Sequence, residues 1–124
     1  MVDAEDIGCL YFKASEFKKA NPSCDWQDMD FAFLAMLDKA RDIAGTPFVI
    51  NSAFRSKEYE ISKGRSGSSS HCKGCAIDIR CSTSSQRLRI VFGAFVAGFR
   101  RIGIGEHFIH FDCDSSKPEG IWLY

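Results

Sequence analysis

With 124 residues, 45% of them hydrophobic and 26% charged, the chain has the length and composition of one globular domain spanning 1–124, and neither a disordered chain nor a fibrous repeat is suggested. Sixteen Lys and Arg balance sixteen Asp and Glu, so there is no broad basic surface of the kind that holds nucleic acid. The longest apolar stretch, around Ile90 to Phe99, is broken by Gly93 and Gly98 and falls well short of the roughly 20 residues that cross a bilayer. The acidic start, Met1 to Asp6, lacks the basic and apolar regions of an export signal. The expectation is a monomer made in the cytoplasm without membrane insertion.

In chain order, Tyr11 to Phe17 predicts a strand or turn leading into a short helix capped by Ser15 and ending before Pro22. Met29, Phe33, Met36, Leu37, Ala40, Ile43 and Ala44 recur at helical spacing, which predicts a helix over roughly 26–44 with Asp25 as its cap and Gly45 as its stop. Phe48 to Ser52 has strand composition, and Ala53 to Ser56 leads from it to a short helix over about 57–62. Gly64 to Ser70 reads as a loop.

Ala76 to Arg80 alternates as a strand, with Asp78 on the face opposite Ile77 and Ile79. Ser84 or Ser85 can cap a second long helix whose expected apolar face is Leu88, Val91, Phe92, Phe95 and Phe99. Arg101 to Ile104 and Phe108 to Cys113 read as a hairpin turning at Gly105-Glu106-His107. Together these predict an α+β domain in which a small, mostly antiparallel sheet packs against two main helices.

Six cysteines would permit disulfides but leave the redox compartment undecided. Cys72 and Cys75 have the C-x-x-C spacing of a redox dithiol or of half a structural zinc site, without a second close pair to complete one. Cys81 and Cys113 flank the two central strands and would form a disulfide if the register made them neighbours.

The three histidines, His71, His107 and His110, lie beside Gly, Ser or acidic residues and not on helical apolar faces. A catalytic zinc takes three protein ligands and keeps one position open, and His71, Asp78 and His110 supply such a set. Asp78 can point to the polar face of its strand while His71 approaches from the preceding loop, Gly74 letting the backbone turn between them. Alternation in the last strand puts His110 on the face shared with Phe108 and Asp112.

The run Ser69-x-His71-x-x-Gly74-x-Ala76-x-Asp78, preceded by Ser52-Ala53-Phe54-Arg55-Ser56 and followed by His110-x-Asp112, resembles the motif set of the peptidase M15 family over about residues 10–113. The family includes zinc D-Ala-D-Ala carboxypeptidases and phage endolysins that cut the L-Ala-D-Glu bond, and it shares its fold with the hedgehog signalling domain. The resemblance implies one Zn2+ on His71, Asp78 and His110, and a substrate-binding, charge-stabilising role for Arg55. It also implies a peptidoglycan stem peptide as substrate. A planar guanidinium suits that role because its fixed donors match a carboxylate or a developing oxyanion.

Several relatives place a Glu three residues before the last histidine, where this chain has His107 with Glu106 one residue further back. Either can serve as the general base, and Glu106 is preferred on the chemical precedent of carboxylates beside zinc. Ser69 and Asp112 are expected to orient the ligands through hydrogen bonds. Glu60 stands where the family often has Asn, five residues after the motif arginine. Two functions follow as expectations: a zinc peptidase acting on the cell wall, released by phage-type lysis or non-classical export, or a zinc-containing binding module of the same fold without turnover.

Overall fold

The structure, a computed structural model, describes residues 3–20 and 24–124. Helix α1 spans Ala14–Ala20, and its expected stop at Pro22 lies outside the described residues. The long first helix begins later than its periodicity suggests. Asp25 caps a 3-10 turn, Trp26–Asp28, and α2 runs Phe31–Ala44 with Asp30 as its cap, accepting a hydrogen bond from Phe33 N at 2.9 Å. Two aspartates five residues apart each satisfy orphan N–H groups, so the chain kinks between two short starts in place of one continuous helix. Gly45 ends α2 in the left-handed conformation, as expected.

Strand β1 is Ile50–Ser52, α3 Lys57–Ser62, β2 Ala76–Arg80, α4 Ser84–Ala97, β3 Arg101–Ile104, β4 Phe108–Asp112 and β5 Gly120–Leu123. The sheet order is β1-β2-β4-β3-β5, antiparallel except for the β3–β5 pair at one edge. This is the expected α+β architecture, a sheet with two main helices on one face. No helix among the described residues is long and apolar enough to cross a membrane.

Alternation divides the sheet. Ile77, Ile79, Ile102, Ile109 and Phe111 are buried with Phe33, Leu34, Leu37 and Ala40 of α2 and Ile90 and Ala94 of α4. Phe99 ties the layers, its ring 5.5 Å from Phe33 and 4.7 Å from Phe111 between centroids.

Helix α4 corrects two expectations. Thr83, not Ser84 or Ser85, is its cap, accepting from Gln86 N at 3.1 Å. Its buried side is Ile90, Gly93 and Ala94, while Leu88, Phe92 and Phe95 are exposed. The reason is the crossing with α2: a Cβ on Gly93 would come within 2.5 Å of Ala40 O and 2.9 Å of Ala44 Cβ, so the helices meet through small residues too closely for aromatic rings between them.

The cysteine pairing is corrected as well. Cys81 N–H bonds to His107 O and Cys113 N–H bonds to Cys75 O, so Cys81 and Cys113 sit at opposite ends of an antiparallel pair, and all six thiols are free.

Candidate metal centre

The polar face of the sheet is built by register. In the β2–β4 pair, Asp78 lies opposite His110. The flanking bonds, Cys81 N to His107 O at 2.9 Å and Cys113 N to Cys75 O at 3.0 Å, show that the odd-numbered residues of β2 sit in the hydrogen-bonded pairs. Asp78 and His110 are therefore a non-hydrogen-bonded pair, the type whose Cα atoms approach to about 4.5 Å and whose side chains lie closest. His110 Nδ1 is 2.9 Å from Asp78 Oδ1.

His71 arrives from a 3-10 helix, Ser70–Lys73. Ser69 caps it by accepting from His71 N at 3.2 Å, and Gly74, at φ 71°, ends it and turns the chain into β2. His71 Nδ1 lies 2.7 Å from the Ala53 carbonyl, which can only accept. Nδ1 must then carry a proton, and Nε2 faces Asp78 Oδ1 at 3.4 Å. His110 is fixed in the opposite sense, its Nε2 held by Asp112 Oδ2 at 2.6 Å.

One atom from each of His71, Asp78 and His110 lies within 4.8 Å of the others. Around an ion with ligand bonds of roughly 2.1 Å, the edge of a tetrahedron is about 3.4 Å, so contacts of 2.9 and 3.4 Å are close to the spacing of neighbouring donors. The second nitrogen of each imidazole is anchored on an oxygen acceptor, which is how ligating histidines are oriented. The donor set fits a divalent ion.

Without an ion, this cluster holds protons and charge tightly. Burial by itself would raise Asp78, but hydrogen bonds from His110 and His71 outweigh it and hold the carboxyl far below its usual range. Burial would lower His110, yet the carboxylates of Asp112 and Asp78 raise it above the ordinary 6.5. Asp112 is lowered, its burial outweighed by His110, the Asp114 backbone and Arg101.

Arg55 lines the same cleft with Ser69, and Glu60 governs its placement. Glu60 is fully buried and accepts from Arg55 Nε at 3.1 Å and from Arg65 Nη1 at 2.9 Å, while Ser52 Oγ accepts from Arg55 Nη1 at 3.1 Å. The Glu at this position therefore grips the motif arginine itself. Replacing it by Gln keeps the volume but removes the charge; Glu60→Gln is expected to raise KM for peptide severalfold with little change in bound metal, as steady-state kinetics and metal content would show.

Phe108, expected on the face of His110, lines the cleft, and Ser70, Arg101, Lys117, Trp122 and Tyr124, which the sequence did not point to, complete it. Buried Asp114 organises one wall, accepting from Ser70 Oγ at 2.7 Å and Lys73 Nζ at 2.8 Å, with Lys117 Nζ 3.5 Å away. Glu106 and His107 are not brought to this cleft. They occupy the β3–β4 turn with side chains 89% and 79% exposed, 3.6 Å from each other. Cys72 and Cys75 lie outside the one cluster of three potential ligands found among the described residues.

The fold and the site together define a protein in which the sheet, with Asp78 and His110, and the 3-10 helix, with His71, present two imidazoles and a carboxylate to one point in an open cleft. A family model described as peptidase M15 matches residues 10–114, and the chain belongs to that family. It is a peptidase of that family, with a peptide as its substrate. No curated protein and no solved structure matches the chain.

Proposed function

We propose that the chain is a zinc-dependent hydrolase of peptidoglycan stem peptides, of the D-Ala-D-Ala carboxypeptidase or L-Ala-D-Glu endopeptidase type, acting on the cell wall as a phage or prophage lysis enzyme does. The observation that carries this reading is the convergence of His71 Nε2, His110 Nδ1 and Asp78 Oδ1, each imidazole being anchored through its other nitrogen. When bound there, Zn2+ supplies Lewis acidity at the scissile carbonyl and lowers the pKa of water.

The protein's own groups would do the rest. Arg55 holds a substrate carboxylate or the oxyanion that develops at the carbonyl. Five cations, Arg55, Arg65, Lys73, Arg101 and Lys117, stand against four carboxylates, Glu60, Asp78, Asp112 and Asp114, before any metal is added. A divalent ion enlarges that positive excess, which favours a peptide bearing free carboxylates. Stem peptides have them.

Glu106 is assigned the proton transfer, with His107 as the alternative, and the role requires the turn to carry the group into the cleft when substrate binds. Glu106→Gln is expected to lower kcat about 100-fold with His107→Ala near parental activity; the reverse pattern makes His107 the base. If neither variant loses rate, the turn takes no part in the chemistry.

The second reading, a zinc-binding wall module without turnover, is favoured by the solvent position of that turn. Digestion of purified peptidoglycan followed by mass spectrometry of the muropeptides separates the readings. Loss of one alanine identifies a carboxypeptidase and a split stem an endopeptidase, either one stopped by a chelator. Metal-loaded protein that releases nothing from any wall preparation would leave only the binding module.

A further inference from the structure

Four side chains on the polar face close a ring. Asp112 receives His110 Nε2 on Oδ2 at 2.6 Å and Arg101 Nε on Oδ1 at 2.7 Å. The Arg101 guanidinium carbon lies 4.8 Å from the Trp122 ring centroid, and the Trp122 ring lies 5.6 Å from the His110 ring at 49°. The circuit from His110 through Asp112, Arg101 and Trp122 returns to His110.

Gly103 makes this circuit possible. It pairs with His110 of β4 on one side and with Trp122 of β5 on the other, so it lies between the two rings. A Cβ at that position would fall 2.6 Å from Trp122 Nε1 and 2.7 Å from Tyr124 Cε2. Bare backbone in β3 is what lets the indole of an edge strand reach across to a histidine two strands away.

A half-turn about Cβ–Cγ would put carbons in place of both Nδ1 and Nε2 and lose the bonds to Asp78 and Asp112 together, so those bonds, with Asp112 held by Arg101 Nε and Asp114 N, choose the ring's orientation. A partial rotation about the same bond bends both without breaking them. A packed aromatic face blocks that rotation. We propose that Trp122 is a positioning residue for His110, acting with Asp112 and Arg101 to hold the ring in the plane that aims Nδ1 at Asp78. Its consequence for metal binding rests on the site reading above; the ring geometry itself does not.

The test pairs a metal-free readout with a metal-dependent one. In the metal-free protein, the His110 imidazole proton accepted by Asp112 gives a downfield NMR resonance protected from exchange. Trp122→Leu is expected to broaden that resonance away and to weaken Zn2+ binding, measured by chelator competition, by roughly 10–100-fold, the range for loss of a supporting partner. Trp122→Phe retains an aromatic face and is expected to rescue both.

If Trp122→Leu does not fold, Gly103→Ala displaces the indole without deleting it, and a red shift of tryptophan emission should accompany the same two losses. A Trp122→Leu protein with the protected resonance and parental zinc affinity overturns the proposal. A parent that binds no divalent ion overturns the metal reading instead, while the protected resonance still decides the role of Trp122.

Discussion

His71→Ala is expected to abolish both stoichiometric zinc binding and the release of peptide from purified peptidoglycan. Loss of a partner that merely supports a ligand costs about 10–100-fold in affinity, and deleting one of the three proposed ligands should exceed that range. Zinc content after gel filtration and muropeptide mass spectrometry measure the two effects. Asp112→Asn, which leaves all three donors but removes the carboxylate behind His110, should fall within the 10–100-fold range instead. Equal effects of the two substitutions would mean that His71 is no more a ligand than Asp112 is.

The same cluster predicts opposite pH responses with and without metal. His110 is raised in the folded protein because hydrogen bonds and charge from Asp112 and Asp78 outweigh its burial. Its contribution to metal-free stability is therefore complete below the ordinary 6.5 and is lost as pH rises through the higher folded value. Asp78 and Asp112 are lowered, so their contributions are present above the ordinary 3.8 and are lost as pH falls through their folded values. On the proposed ligand set a metal displaces the His110 proton, so zinc affinity should climb with pH where metal-free stability declines. Thermal melts with and without zinc across pH 5 to 9 check both signs; parallel profiles would remove His110 from the ligand set.

What the sequence made legible follows the range of the interactions involved. Period-two alternation placed Asp78 and His110 on one face because a strand's own geometry dictates it, and Gly74 between His71 and Asp78 marked the turn. The α2 start was misplaced because Asp25 and Asp30 are equally good caps, and the choice depends on Gly74 O accepting from Asp30 N at 2.8 Å, a contact between distant segments. Of the expected α4 face, Val91 and Phe99 meet the core but Leu88, Phe92 and Phe95 do not, because burial there follows a close helix crossing at Gly93, whereas a hydrophobic pattern gives weight to large side chains. Strand β5 left little trace. Its short Ile121-Trp122-Leu123 run after Pro118 and Gly120 is an apolar cue, but parallel pairing with β3 is a tertiary matter, and with it went Trp122 and Tyr124.

Gly74→Ala should be among the most destabilising single substitutions in the chain. The residue has φ 71°, where a side chain costs about 1–2 kcal/mol. Its missing Cβ also faces backbone: the added atom would lie 2.2 Å from Asp28 O and 3.2 Å from Met29 Cα. Overpacking of this kind costs roughly 1–3 kcal/mol more, and backbone cannot move aside as a flexible side chain can. The sum, about 2–5 kcal/mol, is a large share of the roughly 5–15 kcal/mol that holds a domain together. Gly64 is the control, since it has φ 78° and nothing within 4 Å of its missing Cβ, so Gly64→Ala carries the conformational cost alone. Denaturant titration of both variants measures the difference. Because Gly74 joins the 3-10 helix bearing His71 to the strand bearing Asp78, any folded Gly74→Ala protein should also bind zinc more weakly, while Gly64→Ala should not. Equal losses of stability in the two variants would show that the contact with Asp28 is relieved at no cost, and that the loop carrying His71 is not pinned there.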